Sequence, residues 1–510
     1  MTHAVRSFGG AIAFDRHDKR DHNYLFLLCA WSLVCVMLLG GASQNVYLTN
    51  ALVQLLTLPT LVAALWRLHE CGLPRGARLA LYLIGVGFFT VLLQLLPLPS
   101  SLWSILPFHE KAMTALAALG AGGRWAPVSM TPEETIVSAL NLIVPLSLFL
   151  GVLSLDFRER RLLTLVVLGF GFINAFVGLL QLSQGPDSPL YFYKYSNRGD
   201  SVGLFANRNH EAALLYSLTP LAAAWIGGLV PAVSIRTRRG KVDTAAMIKL
   251  LAAAVTVFTL IVATLIARSR AGIFLLMFAL LGGLALQPLR KFRQGSSRAG
   301  GVFAIVAILA MMLGLQYGLY KILMRLEEDP FADARVTIAR VTAEAALKAL
   351  PFGTGLGSFR PLYASIQKPA DLLLDTFVNA AHNDFLQVTL EAGAPGVLLI
   401  LGFLVWFLLR CQEIWRVKGA WREQFQKITT GESGDPSVDL LLARAGTISI
   451  ALLLVHSLVD YPLRTNALMG LFALCCAILV PPKEDEDILE TRGRYREVTI
   501  QSGARIGQSG

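Results

Sequence analysis

The sequence predicts an all-α polytopic membrane protein: about twelve transmembrane helices, with a helical subdomain in the longest outer loop. Three observations carry this prediction. The chain is 55% apolar and only 15% charged, with a mean hydropathy of +0.57, whereas a soluble globular domain is about half apolar and about a quarter charged. Apolar runs long enough to cross a hydrocarbon core, roughly 20 residues each, recur along the chain. Basic residues concentrate in alternate linkers between those runs. Together these exclude a soluble enzyme with one large core, a disordered chain, a collagen-like chain and a disulfide-stapled secreted scaffold.

The first six apolar runs lie near 25–42, 46–66, 77–97, 134–154, 161–182 and 210–230. The other six lie near 248–267, 271–287, 301–319, 388–410, 441–461 and 464–480. The 271–287 run is short, and the last two runs are tightly joined. Orientation follows from Lys and Arg. Arg6, Arg16, Lys19 and Arg20 precede the first run, and Arg158, Arg160 and Arg161 fall between the fourth and fifth. Arg236, Arg238, Arg239 and Lys241 follow the sixth; Arg290, Lys291, Arg293 and Arg298 follow the eighth; Arg410, Arg416, Lys418, Arg422 and Lys427 follow the tenth. With twelve spans, all of these share one face with both termini, and the positive-inside rule makes that face cytoplasmic. The net charge of +11 therefore reads as orientation, not as affinity for nucleic acid. No cleavable signal peptide is evident. None of the six cysteines falls in an outer loop, so no disulfide is expected.

This topology divides the chain into a cytoplasmic segment 1–24, nine helices in 25–319, a large outer loop 320–387, three helices in 388–480 and a cytoplasmic tail 481–510. The segments 98–133 and 183–209 also face outward. In the large loop, Val336, Ala339, Ala343, Leu347 and Leu350 recur at helical spacing, and Pro351 and Gly353 stop that helix. Residues 374–391 read as helical again and run into the tenth span.

The spans hold almost no ionisable residue near mid-membrane, where transporters usually place them. The polar groups cluster instead at the outer edge. Phe205-Ala206-Asn207-Arg208-Asn209-His210-Glu211 enters the sixth span. It reads either as a helix cap with interfacial snorkelling or as a phosphate site at a helix N-terminus. Arg268-Ser269-Arg270-Ala271-Gly272 puts two arginines in a short outer turn, against the positive-inside trend. A pair of guanidinium forks there suits a diphosphate. The glycine run Gly353, Gly355, Gly357 lacks both a preceding strand and a GKS/T ending, so a helix stop and tight loop explain it better than a nucleotide fold does; Arg360 follows it. Ala381-His382-Asn383-Asp384-Phe385-Leu386-Gln387 precedes Glu391-Ala392-Gly393. His382 can accept a hydroxyl proton, Asn383 and Asp384 can orient it, and Glu391 either buttresses the site or serves as the base itself. A smaller set, His456, Ser457, Asp460, Tyr461 and Arg464, lies at the turn between the last two spans. No zinc-ligand spacing occurs in the outer loops. Asp371 and Asp375 flank Leu372-Leu373-Leu374, which suits an amphipathic helix better than a metal pair.

These motifs, in this order over roughly 200–465, resemble the O-antigen ligase and O-antigen polymerase family of bacterial inner-membrane glycosyltransferases. The resemblance is carried by Asn207–His210, by Ser269–Gly272, by Arg335 with the 351–359 stretch, by Ala381–Gln387 with Glu391-x-Gly393-x-x-Gly396, and by His456 to Arg464. It implies a GT-C-like membrane fold in the inner membrane, with both termini cytoplasmic and the active site facing the periplasm. The implied donor is a glycan on undecaprenyl diphosphate. The acceptor hydroxyl belongs to a polysaccharide chain or to lipid A-core. His382 takes the role of base or acceptor-positioning group, and Arg270 and Arg208 hold the diphosphate. Asn207, Asn209, His210, Arg268, Arg335, Arg340, Arg360, Asn383, Asp384, Glu391, His456, Asp460 and Arg464 are supporting candidates. Either Arg268 or Arg270 carries the second guanidinium role. No metal or other cofactor is implied. A flippase or secondary transporter, a scaffold of a polysaccharide export complex, and a glycan-to-protein transferase of the same family are the alternatives.

Overall fold

The computed structural model describes residues 24–43, 47–237, 244–287, 301–313, 316, 331–369, 378–417 and 436–483. Its helices, in order, are α1 (Tyr24–Leu39), α2 (Tyr47–Cys71), α3 (Arg78–Leu95), α4 (Ser100–Trp103), α5 (Glu110–Ala118), α6 (Pro132–Asn141), α7 (Ile143–Leu153), α8 (Phe157–Gln184) and α9 (Arg208–Thr237). They continue with α10 (Thr244–Ile266), α11 (Arg270–Ala285), α12 (Gly301–Leu313), α13 (Phe331–Ala349), α14 (Phe359–Ile366), α15 (Asp384–Arg416), α16 (Pro436–His456) and α17 (Asn466–Ile478). A two-residue antiparallel ladder pairs Pro97–Leu98 with Ala126–Pro127.

Each of the twelve expected runs coincides with an apolar helix. Among the described residues, eight stretches are long and apolar enough to cross a membrane. The other four, α1, α11, α12 and α17, have 10–17 residues among those described; α11 and α17 are short of the roughly 20 residues that a span needs, while α1 and α12 border residues outside the description. The 441–461 run ends early: α16 stops at His456. Residues 457–465 form a turn, which frees Asp460 and Tyr461 from the helix. The 374–391 expectation is also corrected. Helix α15 starts only at Asp384, because His382 adopts a left-handed φ of +50° and the Asn383 side chain caps the helix by accepting from Leu386 N at 3.0 Å. The Asp371–Asp375 segment lies outside the described residues.

One end of the molecule gathers the 158–161 basic cluster. Arg160 there is buried, donating to the Leu153, Leu155 and Ala477 carbonyls at 2.8–3.2 Å, so it caps helix C-termini. The other end gathers the polar motifs. Helix α9 is the hub: 89% of its apolar window lies inside the structure, and it packs on α8, α10, α11 and α16. Gly272 lets α11 press on α9, since a Cβ there would come within 2.6 Å of the Ala212 Cβ. This close approach brings the arginine turn beside the start of α9.

The glycine run has a structural role. Gly393 breaks α15 with φ +62° and ψ −145°, which releases the Leu390 and Glu391 carbonyls from the helix ladder. Thr354 N and Gly355 N donate to them at 3.0 and 2.9 Å. Ala394 N donates back to Pro351 O at 2.8 Å. The loop is thereby sewn into the kink, and α13 is anchored against α15.

Candidate active site

The site is built on the turn 457–465, against which the His382 segment is stitched. Asp384 N donates to Ser457 O at 2.9 Å, and Asn383 Nδ2 donates to Leu458 O at 3.0 Å. Inside this seam lies Asp460, with 0% of its side chain exposed. One carboxylate oxygen accepts from His382 Nδ1 at 3.2 Å and from Tyr461 N at 3.0 Å. The other accepts from Asn209 Nδ2 at 2.7 Å and lies 3.8 Å from Arg335 Nη2. Burial alone would raise this carboxyl. The His382 hydrogen bond and the Arg335 guanidinium outweigh burial and hold Asp460 well below the usual carboxylate range.

The His382 bond fixes the tautomer: Nδ1 carries the proton for Asp460, so Nε2 carries the lone pair. Nε2 has no hydrogen-bond partner among the described residues, and 18% of the side chain is exposed. A buried carboxylate, an oriented imidazole and an open basic nitrogen are an arrangement that can take up a hydroxyl proton.

A second cluster flanks the first. Asp200, buried in the 185–207 loop, bridges two guanidinium groups: Arg208 Nη1 at 2.6 Å and Arg268 Nη1 at 3.4 Å. Arg208 is the first residue of α9, and its N–H donates to Asn197 Oδ1 at 3.1 Å. Arg268 holds a φ of +55°, a conformation that a non-glycine residue keeps only when its surroundings enforce it. Arg270, two residues on, opens α11 behind the Ser269 cap and is exposed. Each paired arginine uses one donor on Asp200 and stays partly open, so the pair can receive a dianion at a helix start.

A third cluster holds the first in place. Arg464 Nε meets Asp384 at 3.1 Å, and Nη2 meets Glu391 at 3.3 Å. Ser457 Oγ donates to Asp384 at 2.9 Å, and Gln387 Nε2 donates to Glu391 at 3.0 Å.

Several sequence expectations are refined by this placement. Asn383 and Asp384 do not orient His382; they cap α15 and hold Arg464, and Asp460 takes the orienting place. Glu391 is 1% exposed and tied to Arg464 and Gln387. His210 and His456 are fully buried. His456 Nδ1 meets the Tyr216 hydroxyl at 2.8 Å and His210 Nδ1 meets Ser43 Oγ at 3.4 Å. Both belong to the framework under the site. Asn207 caps α9 by accepting from Asn209 N at 2.9 Å and also bonds the Tyr461 side chain. Arg340 is exposed further along α13. Arg360 lies where its charge acts on Tyr47, which is bonded to Glu134. Asp200 and Asn379 are the residues that the sequence did not single out, and Tyr461 stood in the 456–464 polar set without a role. Asp200 sits eight residues before Arg208, and an acid that close to a cationic helix start was the available signal.

Fold and site define a multi-pass helical membrane protein with its polar chemistry at one end. Residues 255–401 match the family model described as O-antigen ligase. That match spans less than a third of the 510 residues. It includes the arginine turn, Arg335, the glycine run and His382, and leaves Arg208 and Asp460 outside. No curated protein matches the chain.

Proposed function

We propose that this protein is a glycosyltransferase of the O-antigen ligase type, acting at the periplasmic face of the inner membrane. It moves a glycan from undecaprenyl diphosphate to the hydroxyl of a polysaccharide or lipid A-core acceptor. The observation that carries the reading is the His382–Asp460 dyad, with its open Nε2 at the end of the molecule where the arginines also gather.

In this reading the acceptor hydroxyl gives its proton to His382 Nε2. The acceptor oxygen bonds the anomeric carbon from the face opposite the leaving group. The bond from that carbon to the phosphate oxygen breaks, and its electron pair leaves with the diphosphate, so the anomeric configuration inverts. Asp460 stabilises the imidazolium that results. Arg208, with Arg268 or Arg270, receives the charge that develops on the diphosphate; such preorganised stabilisation is often the largest catalytic contribution. Asp200 is then a resident counter-charge that keeps two desolvated guanidinium groups paired until the lipid diphosphate arrives. The large loop supplies His382 and Arg335, so loop and membrane helices share the site.

The test is turnover of an undecaprenyl-diphosphate oligosaccharide by purified protein, wild type against His382→Ala. Loss of lipid diphosphate release in the variant supports the reading. Full release by the variant contradicts it.

A further inference from the structure

We propose that Tyr461 is the positioning residue of the dyad: its ring, clamped between the imidazoles of His210 and His382, fixes the rotation of the His382 ring. The proposal rests on the reading of His382 as the proton acceptor.

The Tyr461 ring centroid lies 5.0 Å from that of His210, at 85°, and 5.1 Å from that of His382, at 71°. Both are edge-to-face contacts, the favoured geometry for rings with this charge distribution. The Tyr461 backbone N–H donates to the Asp460 oxygen that also receives His382 Nδ1. One residue therefore sets both the carboxylate's orientation and one side of the imidazole.

A single 3.2 Å hydrogen bond at Nδ1 restrains the rotation about Cβ–Cγ only loosely. An aromatic ring packed against it removes that freedom. The need is greater because His382 sits at φ +50°, a conformation that persists only where neighbours determine it. The frame around Tyr461 is itself held. Its hydroxyl lies 3.3 Å from Asn379 Nδ2, and Asn379 Nδ2 also reaches Ser43 O at 3.4 Å. Ser43 Oγ in turn meets His210 Nδ1. The phenol is buried at 4% exposure, so it is framework and not a substrate contact. The Tyr461 hydroxyl also bonds Asn207, the cap that precedes Arg208, but the ring touches none of Asp200, Arg208 and Arg268 in the contacts described, which predicts that losing the ring affects turnover and not donor binding, with Tyr461→Phe as the control for the lost hydroxyl bond.

The experiment compares kcat and donor KM of purified Tyr461→Phe, Tyr461→Leu and His382→Ala with an undecaprenyl-diphosphate oligosaccharide. Phenylalanine keeps the ring, so kcat stays within about 3-fold of wild type; leucine lets the imidazole pivot, and kcat falls about 30- to 100-fold with donor KM within about 2-fold. Wild-type kcat in Tyr461→Leu, or equal losses in the Leu and Phe variants, overturns the proposal. His210→Leu, which removes the far side of the clamp and leaves Tyr461 present, decides the matter if Tyr461→Leu does not fold. A kcat loss of about 10-fold at unchanged donor KM supports the clamp, and wild-type kcat overturns it. Full activity of His382→Ala refutes the underlying base assignment; an inactive His382→Ala beside a fully active Tyr461→Leu refutes the clamp alone.

Discussion

His382 and Asp460 meet at 3.2 Å across 78 residues of chain. One comes from the end of the large loop and the other from the turn between the last two helices. The dyad therefore exists only when the loop is docked on the membrane helices, and the stitching of Asp384 to Ser457 and of Asn383 to Leu458 performs that docking. The acid dictates which nitrogen is basic, and most of the chemistry expected of the site follows from that.

The first consequence concerns Asp460→Asn. An amide keeps the shape but can donate to Nδ1, which favours the wrong tautomer. Turnover is expected to fall about 10²- to 10⁴-fold, the range seen when an orienting acid is neutralised, with donor KM little changed. Steady-state release of lipid diphosphate checks it.

Asp460 also makes stability depend on pH in one direction. Its folded-state value lies well below the usual carboxylate range, so on acidification the unfolded chain takes up the proton first. The stabilisation is fully present above about pH 4, the ordinary value for an aspartate, and is lost as pH falls toward the folded value. Melting temperatures in detergent between pH 7 and pH 3 are expected to drop more steeply for wild type than for Asp460→Asn. Parallel curves contradict the assignment.

The arginine cluster makes a different prediction. Arg208→Ala, and whichever of Arg268→Ala and Arg270→Ala removes the acting group of the turn, are each expected to lower turnover about 10²- to 10³-fold, as removal of a charge-stabilising donor does. Lysine should restore little, because it lacks the planar fork. Arg270→Ala measured beside them decides which guanidinium group of the turn acts on the diphosphate.

The Arg464 cluster is expected to govern folding more than chemistry. Arg464→Met leaves Asp384 and Glu391 without their cation, and breaking such a buried pair costs about 3 kcal/mol. Asp384→Asn combined with Glu391→Gln in the Arg464→Met background should recover part of that loss. Unfolding in detergent measures both.

Gly353 and Gly393 face each other's backbones at positive φ. A Cβ on Gly393 overlaps the Pro351 carbonyl oxygen, so Gly393→Ala should undock the glycine loop from the α15 kink. Faster proteolysis of the 351–359 stretch is the expected sign.

The fold was largely legible because membrane helices announce themselves locally: every apolar run marks a helix. The short α11 and α17 and the early end of α16 were harder to read, since hydropathy continues through the 457–461 turn while the backbone does not. His382 and Arg208 were legible as polar motifs at helix starts. Their pairing was not, although Asp460 stands among the candidates. Asp384, adjacent in sequence, was the natural candidate to orient His382, but the left-handed φ at 382 and the Asn383 cap turn the chain so that Asp384 serves Arg464. Asp460, Asp200 and Tyr461 act through contacts between distant segments, and no periodicity records such contacts. The glycine run was read correctly as a loop, but its acceptors, the carbonyls freed at Gly393, needed coordinates.

The central claim is that His382, held by Asp460, activates an acceptor for transfer from a lipid diphosphate. Purified protein given an undecaprenyl-diphosphate oligosaccharide, acceptor and a metal chelator tests it most directly. The account predicts chelator-resistant release of undecaprenyl diphosphate that His382→Ala abolishes. A His382→Ala protein that releases it at the wild-type rate would contradict the account.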